Sequence, residues 1–181
     1  MKYFKIGLIL LCFSANSCVE SLDFTQIEEF SATPVIKSSL VFFSLTSNDF
    51  INSITGTESV TIPPDVSEFD GLDNEFMRNN LSKIVFDIEV KNEITRNFSL
   101  LVESLDENDT VVFTLRPINV PASDLTFIFQ ETIDVGIHQN ILNTNKVRVS
   151  GYISSSTTPL VANDPSELEF KSSITLFIQT E

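Results

Sequence analysis

The stretch KIVFDIEVK, residues 83–91, decides the fold class of this chain. Apolar residues occupy every second position from Ile84 to Val90, and the positions between and after them include Asp87, Glu89 and Lys91. Side chains of a strand point alternately to its two faces, so this stretch predicts a strand with one buried and one solvated face. Half-buried strands of this kind are typical of antiparallel sheets.

The same two-residue period recurs on both sides of this strand. It predicts further strands in residues 35–44, 98–102, 111–115, 125–129, 146–153 and 174–178. Turn residues lie between them: residues 106–109 (DEND) predict a hairpin turn, and Pro117 and Pro121 punctuate the next connection. Pro159 and residues 163–165 mark a long final loop.

Two segments depart from the strand pattern. Residues 65–80 are acidic and predict a loop with at most a short helical turn at residues 74–78. In residues 132–143, Ile133, Ile137 and Ile141 are spaced four apart, which predicts a short helix that caps one end of the sheets.

About seven short strands with few helices predict an all-β domain. We expect a two-layer antiparallel β-sandwich, immunoglobulin-like in broad layout, with at most one or two short helices. A partly closed barrel is the alternative. No repeat of 20–50 residues is present, which excludes a solenoid or a propeller.

The first 17 residues have the pattern of a secretory signal. Lys2 and Lys5 precede the apolar residues 6–13, a run far shorter than the roughly 20 residues that a membrane-spanning helix needs. Residues 14–18, SANSC, then lead to Cys18.

Residues 14–18 resemble the lipobox of bacterial lipoproteins, in which a small residue precedes a cysteine that becomes acylated. Ser17 and Cys18 match this motif, whereas Ala15 and Asn16 depart from it. The alternative is ordinary secretion, with Cys18 retained as a free thiol. The resemblance implies that acyl chains on Cys18 form the membrane link, because several chains together anchor a protein durably.

The domain boundaries follow from this motif. Residues 1–17 form the predicted signal peptide, residues 18–33 the lipidated cysteine with an acidic tether, and residues 34–181 the β-sandwich domain. Cys12 lies inside the signal peptide, so Cys18 is the single cysteine left after cleavage and no internal disulfide can form.

Composition excludes several partners and reactions. Residues 18–181 carry 9 basic and 25 acidic side chains, a field that repels nucleic acid. His138 is the single histidine, and no Gly-x-Ser-x-Gly elbow is present, so histidine-based zinc sites and serine triads lack their parts. We expect no enzyme activity and no cofactor. Trp is absent, and the 14 Phe after residue 17 are interpreted as core residues.

One acidic cluster has the chemistry of a calcium site. Oxygen-rich loops coordinate calcium, and Gly71 would allow a tight turn. The spacing does not match a twelve-residue calcium loop, and a solvated acidic loop is the alternative. The candidate ligands are Asp65, Glu68, Asp70, Asp73 and Glu75.

Three stretches resemble sequences of a known family: residues 23–30 (DFTQIEEF), 82–109 (SKIVFDIEVKNEITRNFSLLVESLDEND) and 170–178 (FKSSITLFI). They resemble a group of uncharacterised envelope lipoproteins of Flavobacteria, within Bacteroidota. The resemblance implies an outer-membrane lipoprotein with a β-sandwich domain.

From these features we expect a non-enzymatic envelope protein that binds a protein partner through a sheet edge or a loop. The alternative is a small apolar ligand bound inside the sandwich. The sequence leaves open which face of the outer membrane the domain occupies.

The processing prediction can be checked by mass spectrometry of the protein purified from membranes. We expect the N-terminal peptide to begin at Cys18 and to carry the mass of attached acyl chains. An N-terminus elsewhere, or an unmodified Cys18 thiol, would favour ordinary secretion.

Overall fold

The computed structural model describes residues 33–179. The predicted signal peptide (residues 1–17), Cys18 and the predicted tether up to residue 32 lie outside the described residues.

The described chain forms nine strands, which alternate with turns and three short 3-10 segments. The strands are β1 (Val35–Thr46), β2 (Thr61–Glu68), β3 (Leu81–Asn92), β4 (Phe98–Leu105), β5 (Val111–Thr114), β6 (Ile118–Val120), β7 (Phe127–Asp134), β8 (Lys146–Ile153) and β9 (Glu167–Ile178).

The strands form two sheets. One sheet has four strands in the order β1-β9-β3-β7, and the other has the order β2-β8-β4-β5. β6 pairs with the first residues of β4, Phe98–Leu100, on the side where β5 pairs with its last residues. Every pairing is antiparallel. The predicted all-β, two-layer antiparallel sandwich is therefore confirmed, and the partly closed barrel is not what forms.

The inner faces of the two sheets make the core. In β3, the apolar positions Ile84, Phe86, Ile88 and Val90 are between 0% and 2% exposed, as the alternation in residues 83–91 predicts. They pack with inward residues of β4, β8 and β9 in one continuous cluster. At about 25 cal/mol per Å² of apolar surface removed from water, this burial is the main stabilising contribution.

A β-bulge interrupts β1. Between the pairs Ser39–Ser173 and Phe42–Lys171, two residues of β1 lie opposite the single residue Ser172. The Ser172 hydroxyl accepts a hydrogen bond from the Val41 amide (3.0 Å) and donates one to the Val41 carbonyl (3.2 Å). The bulge therefore has its own partner for the backbone groups that leave the ladder.

The bulge corrects the prediction for residues 35–44. Strict alternation placed Phe42 on the same face as Ile36 and Ser38, but the extra residue exchanges the faces beyond it. Phe43 consequently turns inward and stacks on Phe170, with ring centroids 5.0 Å apart. Phe42 points outward and is 63% exposed, so its interpretation as a core residue was wrong.

The prediction of a loop over residues 65–80 is wrong in its first part. Residues 65–68 are the end of β2, because they pair with β8 despite the Pro63-Pro64 pair before them. A 3-10 segment, Asp70–Leu72, and one short helix, α1 (Glu75–Asn80), follow. Asn74 caps α1 by accepting a hydrogen bond from the Met77 amide at 3.1 Å, which confirms the helical turn near residues 74–78.

Residues 132–143 do not form the predicted helix. Ile133 is buried in the last part of β7, Ile137 is 75% exposed in a turn, and Ile141 is buried in the 3-10 segment Gln139–Asn143. A strand end followed by a 3-10 segment places isoleucines four residues apart just as a helix does, so spacing alone could not separate the two. Among the described residues, no helix has the length and apolarity to cross a membrane.

A buried arginine connects the loops at one end of the sandwich. Arg96 is 4% exposed, and its Nη2 lies 2.9 Å and 3.1 Å from the two carboxylate oxygens of Glu58. Its Nη1 and Nη2 also donate to the carbonyls of Ser154 (2.6 Å) and Thr158 (2.8 Å). Glu58 in turn accepts from the Leu160 amide at 3.2 Å, so this ion pair joins three loops.

Asn92 organises the adjoining connection between β3 and β4. The side chain is fully buried, and its amide donates to the carbonyls of Arg96 (2.9 Å) and Pro121 (2.6 Å). Its oxygen accepts from the Ile94 amide at 3.0 Å. The loop that carries Arg96 is thereby held in place from both sides.

We expect Arg96→Met to lower the free energy of unfolding by about 3 kcal/mol, because it leaves the Glu58 carboxylate without its buried partner. Denaturant unfolding followed by circular dichroism measures this change. The control is Lys37→Met, which removes an exposed ion pair with Asp87 and should cost at most about 1 kcal/mol. Equal losses in both variants would contradict the structural role of Arg96.

Candidate functional site

The solvent-facing side of the four-stranded sheet combines exposed apolar side chains, paired charges and a groove, and it is the candidate site of the described chain. Paired residues on neighbouring antiparallel strands share a face, so the outward residues of β1, β9, β3 and β7 form rows across the sheet. We name each row by its β1 residue and call the five rows together the outer face. The rows are Val35, Phe177, Lys83, Asp134; Lys37, Thr175, Val85, Thr132; Ser39, Ser173, Asp87, Gln130; Phe42, Lys171, Glu89, Ile128; and Ser44, Glu169, Lys91.

A groove of about 860 Å³ lies across this outer face. Ser39 and Ser173 form part of its lining in the Ser39 row, and their small side chains leave space between larger neighbours. Phe42 and Ile128 line it from the two edge strands. The groove therefore lies where the two neighbouring serines stand beside a row with large apolar ends.

The Phe42 row exposes two large apolar side chains. Phe42 is 63% exposed and Ile128 is 73% exposed, at opposite ends of the row. With strands about 4.8 Å apart, three spacings separate them by about 14 Å. Between them stand Lys171 and Glu89, so the row reads apolar, positive, negative, apolar. Both side chains line the same groove, and apolar surface rimmed by polar residues is typical of interaction sites.

Polar contacts within the outer face orient its charged side chains. The Asp87 carboxylate accepts a hydrogen bond from the side-chain amide of Gln130 at 2.6 Å and lies 3.4 Å from the Lys37 ammonium. Lys171 forms an ion pair with Glu169, and its ammonium lies 5.9 Å from the centre of the Phe42 ring. The cation and the aromatic ring are thus neighbours at the margin of the groove.

Lysines are concentrated on this face. Residues 33–179 contain five lysines, and four of them, Lys37, Lys83, Lys91 and Lys171, belong to the five rows. The same rows carry four carboxylates, those of Asp87, Glu89, Asp134 and Glu169. The outer face is therefore balanced in charge, although the chain has a net charge of −14. Another acidic surface can approach it with less repulsion than it meets elsewhere.

Lys91 has a partner just beyond its row. Its ammonium lies 2.7 Å from the Glu93 carboxylate. The hydrogen bond between these groups raises the pKa of Lys91 above its usual value and lowers the pKa of Glu93 below its own. Both groups are consequently charged at neutral pH, and they form an ion pair at the margin of the face.

The structure spreads out the five acidic residues that the sequence suggested for calcium. Asp65 pairs opposite Val149 and Glu68 opposite Lys146, on opposite faces of β2. Asp73 accepts from the side-chain amide of Asn145 at 3.1 Å, whereas Asp70 begins a 3-10 segment and Glu75 begins α1. Within residues 33–179, no three His, Cys, Asp or Glu side chains are grouped so that they could hold a metal ion.

His138 lies at the surface, in the turn before the 3-10 segment Gln139–Asn143. Its ring meets the edge of Phe113 with centroids 5.3 Å apart. The histidine therefore packs on an aromatic side chain of β5.

A second cavity opens beside β1. It has a volume of about 470 Å³, and its apolar lining comes from Ile36, Leu40, Phe69, Met77 and Leu176. Residues of the segment between β2 and α1 complete it with polar groups. This volume falls within the usual range for small-molecule sites, about 300–1,000 Å³.

No sequence motif identifies the outer face as a site. Phe42, Lys171, Glu89 and Ile128 come from four strands, and no motif joins them. One local signal was present: Phe42 and Phe43 are adjacent, and two consecutive residues of a regular strand cannot both face the core.

Several solved structures align with most of this chain at low sequence identity and with TM-scores below 0.5. No protein-family model matches the chain, and no curated protein matches it. A protein of Parabacteroides distasonis described as secreted aligns with 82% of this chain at 13% identity and a TM-score of 0.46. A structure of infectious bursal disease virus, Gx strain, aligns with 83% at 11% identity and a TM-score of 0.44.

A Clostridium thermocellum xylanase structure that contains CBM22-1 and GH10 modules aligns with 77% of this chain at 14% identity and a TM-score of 0.36. This chain covers 38%, 32% and 25% of those three proteins, respectively. It is thus less than half as long as each of them.

We expect the thermal midpoint of the protein to be the same in millimolar calcium as in the same concentration of magnesium. Asp65 and Glu68 point to opposite faces of β2, and Asp73 already has a hydrogen-bonding partner. Thermal unfolding by circular dichroism, with each ion and with chelator, measures this. A midpoint raised by calcium alone, and lost in Asp70→Asn, would show that the acidic segment gathers around the ion.

Proposed function

We propose that this protein is a non-enzymatic lipoprotein of the cell envelope, tethered to the outer membrane by acyl chains on Cys18. Its β-sandwich acts as a protein-interaction module. The observation that carries the proposal is the Phe42 row, where Phe42 and Ile128 are exposed on either side of a paired positive and negative charge.

The outer face has the chemistry of a protein-binding surface. Exposed aromatic and aliphatic side chains supply binding energy when a partner covers them, and the polar groups around them fix its orientation. Four strands at about 4.8 Å and about nine residues at about 3.3 Å give roughly 600 Å² in projection. That is the lower end of the area that each partner contributes to a specific protein interface.

The anchor supports the same proposal. Acyl chains on Cys18 would confine the domain to the membrane surface, where a partner held on that surface is met at a raised effective concentration. The acidic composition keeps the rest of the domain from adhering to anionic headgroups. The balanced outer face is then the part of the domain best suited to contact another protein.

A small apolar ligand is the second candidate function. The cavity beside β1 favours it, because Ile36, Leu40, Phe69, Met77 and Leu176 line a volume of about 470 Å³. Native mass spectrometry of the protein after exposure to an envelope lipid extract tests this idea. Retention of a ligand that Leu40→Trp excludes would support it, and an unliganded spectrum would count against it.

Site-specific photo-crosslinking in intact cells tests the interaction function. A photoreactive phenylalanine analogue replaces Phe42, and in the control it replaces Tyr152, which is 58% exposed on the outer side of the five-stranded sheet. We expect a discrete crosslinked product from position 42 and none from position 152. The absence of a product at position 42, or the same products at both positions, would overturn the proposal.

A further inference from the structure

We propose that the partner of the outer face is a second copy of this chain, in a face-to-face dimer whose two-fold axis is parallel to the strands and passes between β9 and β3. This inference rests on the proposed function, because it uses the same surface.

The strand order makes such a dimer geometrically simple. A two-fold axis in the plane of contact, parallel to the strands and midway across β1-β9-β3-β7, reverses the order of the strands across the sheet. It places β1 over β7 of the second copy, and β9 over β3 of the second copy. Because the axis is parallel to the strands, each row faces the same row of the other copy. This is an isologous contact, as a two-fold dimer requires.

The Phe42 row is complementary to itself under this rotation. Phe42 meets Ile128 of the second copy, and Lys171 meets Glu89 of the second copy. The sequence of the row, apolar, positive, negative, apolar, pairs unlike charges in the centre and apolar groups at both ends. Every contact occurs twice, so the central charges make two interchain ion pairs.

The neighbouring rows agree with the same axis. Glu169 meets Lys91 of the second copy in the Ser44 row, a further pair of opposite charges. In the Ser39 row, Ser39 meets Gln130 and Ser173 meets Asp87. The long side chain of Gln130 from the second copy thus lies over the small side chain of Ser39. In this way the second copy would fill the groove.

A two-fold axis along the Phe42 row is unfavourable. An axis perpendicular to the strands and running along the Phe42 row would place each strand over itself. Lys171 would then face Lys171, and Glu89 would face Glu89. Like charges in direct opposition cost binding free energy, so the Phe42 row is complementary to itself about the axis parallel to the strands and not about the axis along the row.

The twist of the sheets limits where the rows coincide. Packed sheets cross at about 30°, so row-to-row matching holds best near the axis and becomes weaker at the ends of the strands. The Ser39, Phe42 and Ser44 rows are adjacent, and they carry the matched charges. Among residues 33–179, the excess of carboxylates lies outside these five rows.

The area predicts a modest affinity. Roughly 600 Å² of projected face on each copy lies at the lower limit for a specific interface, so association in solution should be concentration-dependent. Attachment of both copies to one membrane would raise their effective concentration. The dimer would then form on the membrane surface more readily than in solution.

Sedimentation velocity of the mature chain (residues 18–181) carrying Cys18→Ser tests the proposal between low-micromolar and millimolar concentrations. We expect a reversible monomer–dimer equilibrium. Lys171→Glu should weaken it by roughly tenfold or more, because two glutamates then face each other at two places. The double variant Lys171→Glu/Glu89→Lys exchanges the charges and should return the dissociation constant to within about threefold of the parent value.

Lys146→Glu is the matched control. It makes the same change in net charge on the five-stranded sheet, where Lys146 pairs with Asp109, and it should leave association nearly unchanged. Circular dichroism of each variant checks that the fold is retained.

A monomer at every concentration would overturn the proposal. Equal weakening by Lys171→Glu and Lys146→Glu would overturn it too, since net charge alone would then act. If the double variant fails to restore association, the proposed axis is wrong.

The photo-crosslink at position 42 separates this proposal from the proposed function. A product of twice the chain mass supports the dimer. A product of another mass retains the interaction function and overturns self-association, whereas the absence of any product overturns both.

Discussion

The pairing of β3 with β9 is the contact on which the rest of the structure depends. Its register runs from Leu81 opposite Ile178 to Asn92 opposite Leu168, and it brings together segments from the middle and the end of the chain. These two strands are the centre of the four-stranded sheet, and their inward residues form much of the core. A slip of one residue would turn Glu89 inward and Ile88 outward, so burial of one face fixes the register.

That register determines the outer face as well as the core. Once Val90 pairs with Phe170 inside, Glu89 must pair with Lys171 outside. The bulge in β1 adds a second determinant, because Ser172 satisfies the Val41 backbone and lets the strand change faces. Phe43 then stacks on Phe170 in the core while Phe42 stands beside Lys171 in solvent. The exposed aromatic residue is a direct consequence of how the core is filled.

The ends of the sandwich follow a different principle. There the chain makes loops, and buried polar side chains rather than apolar ones fix their positions. Arg96 and Glu58 are paired inside, and Asn92 satisfies two backbone groups of the connection between β3 and β4 and the Pro121 carbonyl after β6. Such groups are tolerated in the interior because each has hydrogen-bonding partners. These side chains hold the loops in place and do not belong to the outer face.

The sequence by itself determined the all-β class, the strands with clear alternation such as residues 83–91, the hairpin turn at residues 106–109 and the short helical turn after Asn74. These features depend on neighbours along the chain, where side-chain period and turn chemistry act locally. Only the tertiary structure decided that residues 65–68 extend a strand, that Ile133 and Ile141 belong to different elements, and that Phe42 faces solvent. It also brought Phe42, Lys171, Glu89 and Ile128 into one row. Strand pairing between distant segments sets these positions, and a single-residue bulge reverses them, so no local pattern could contain them.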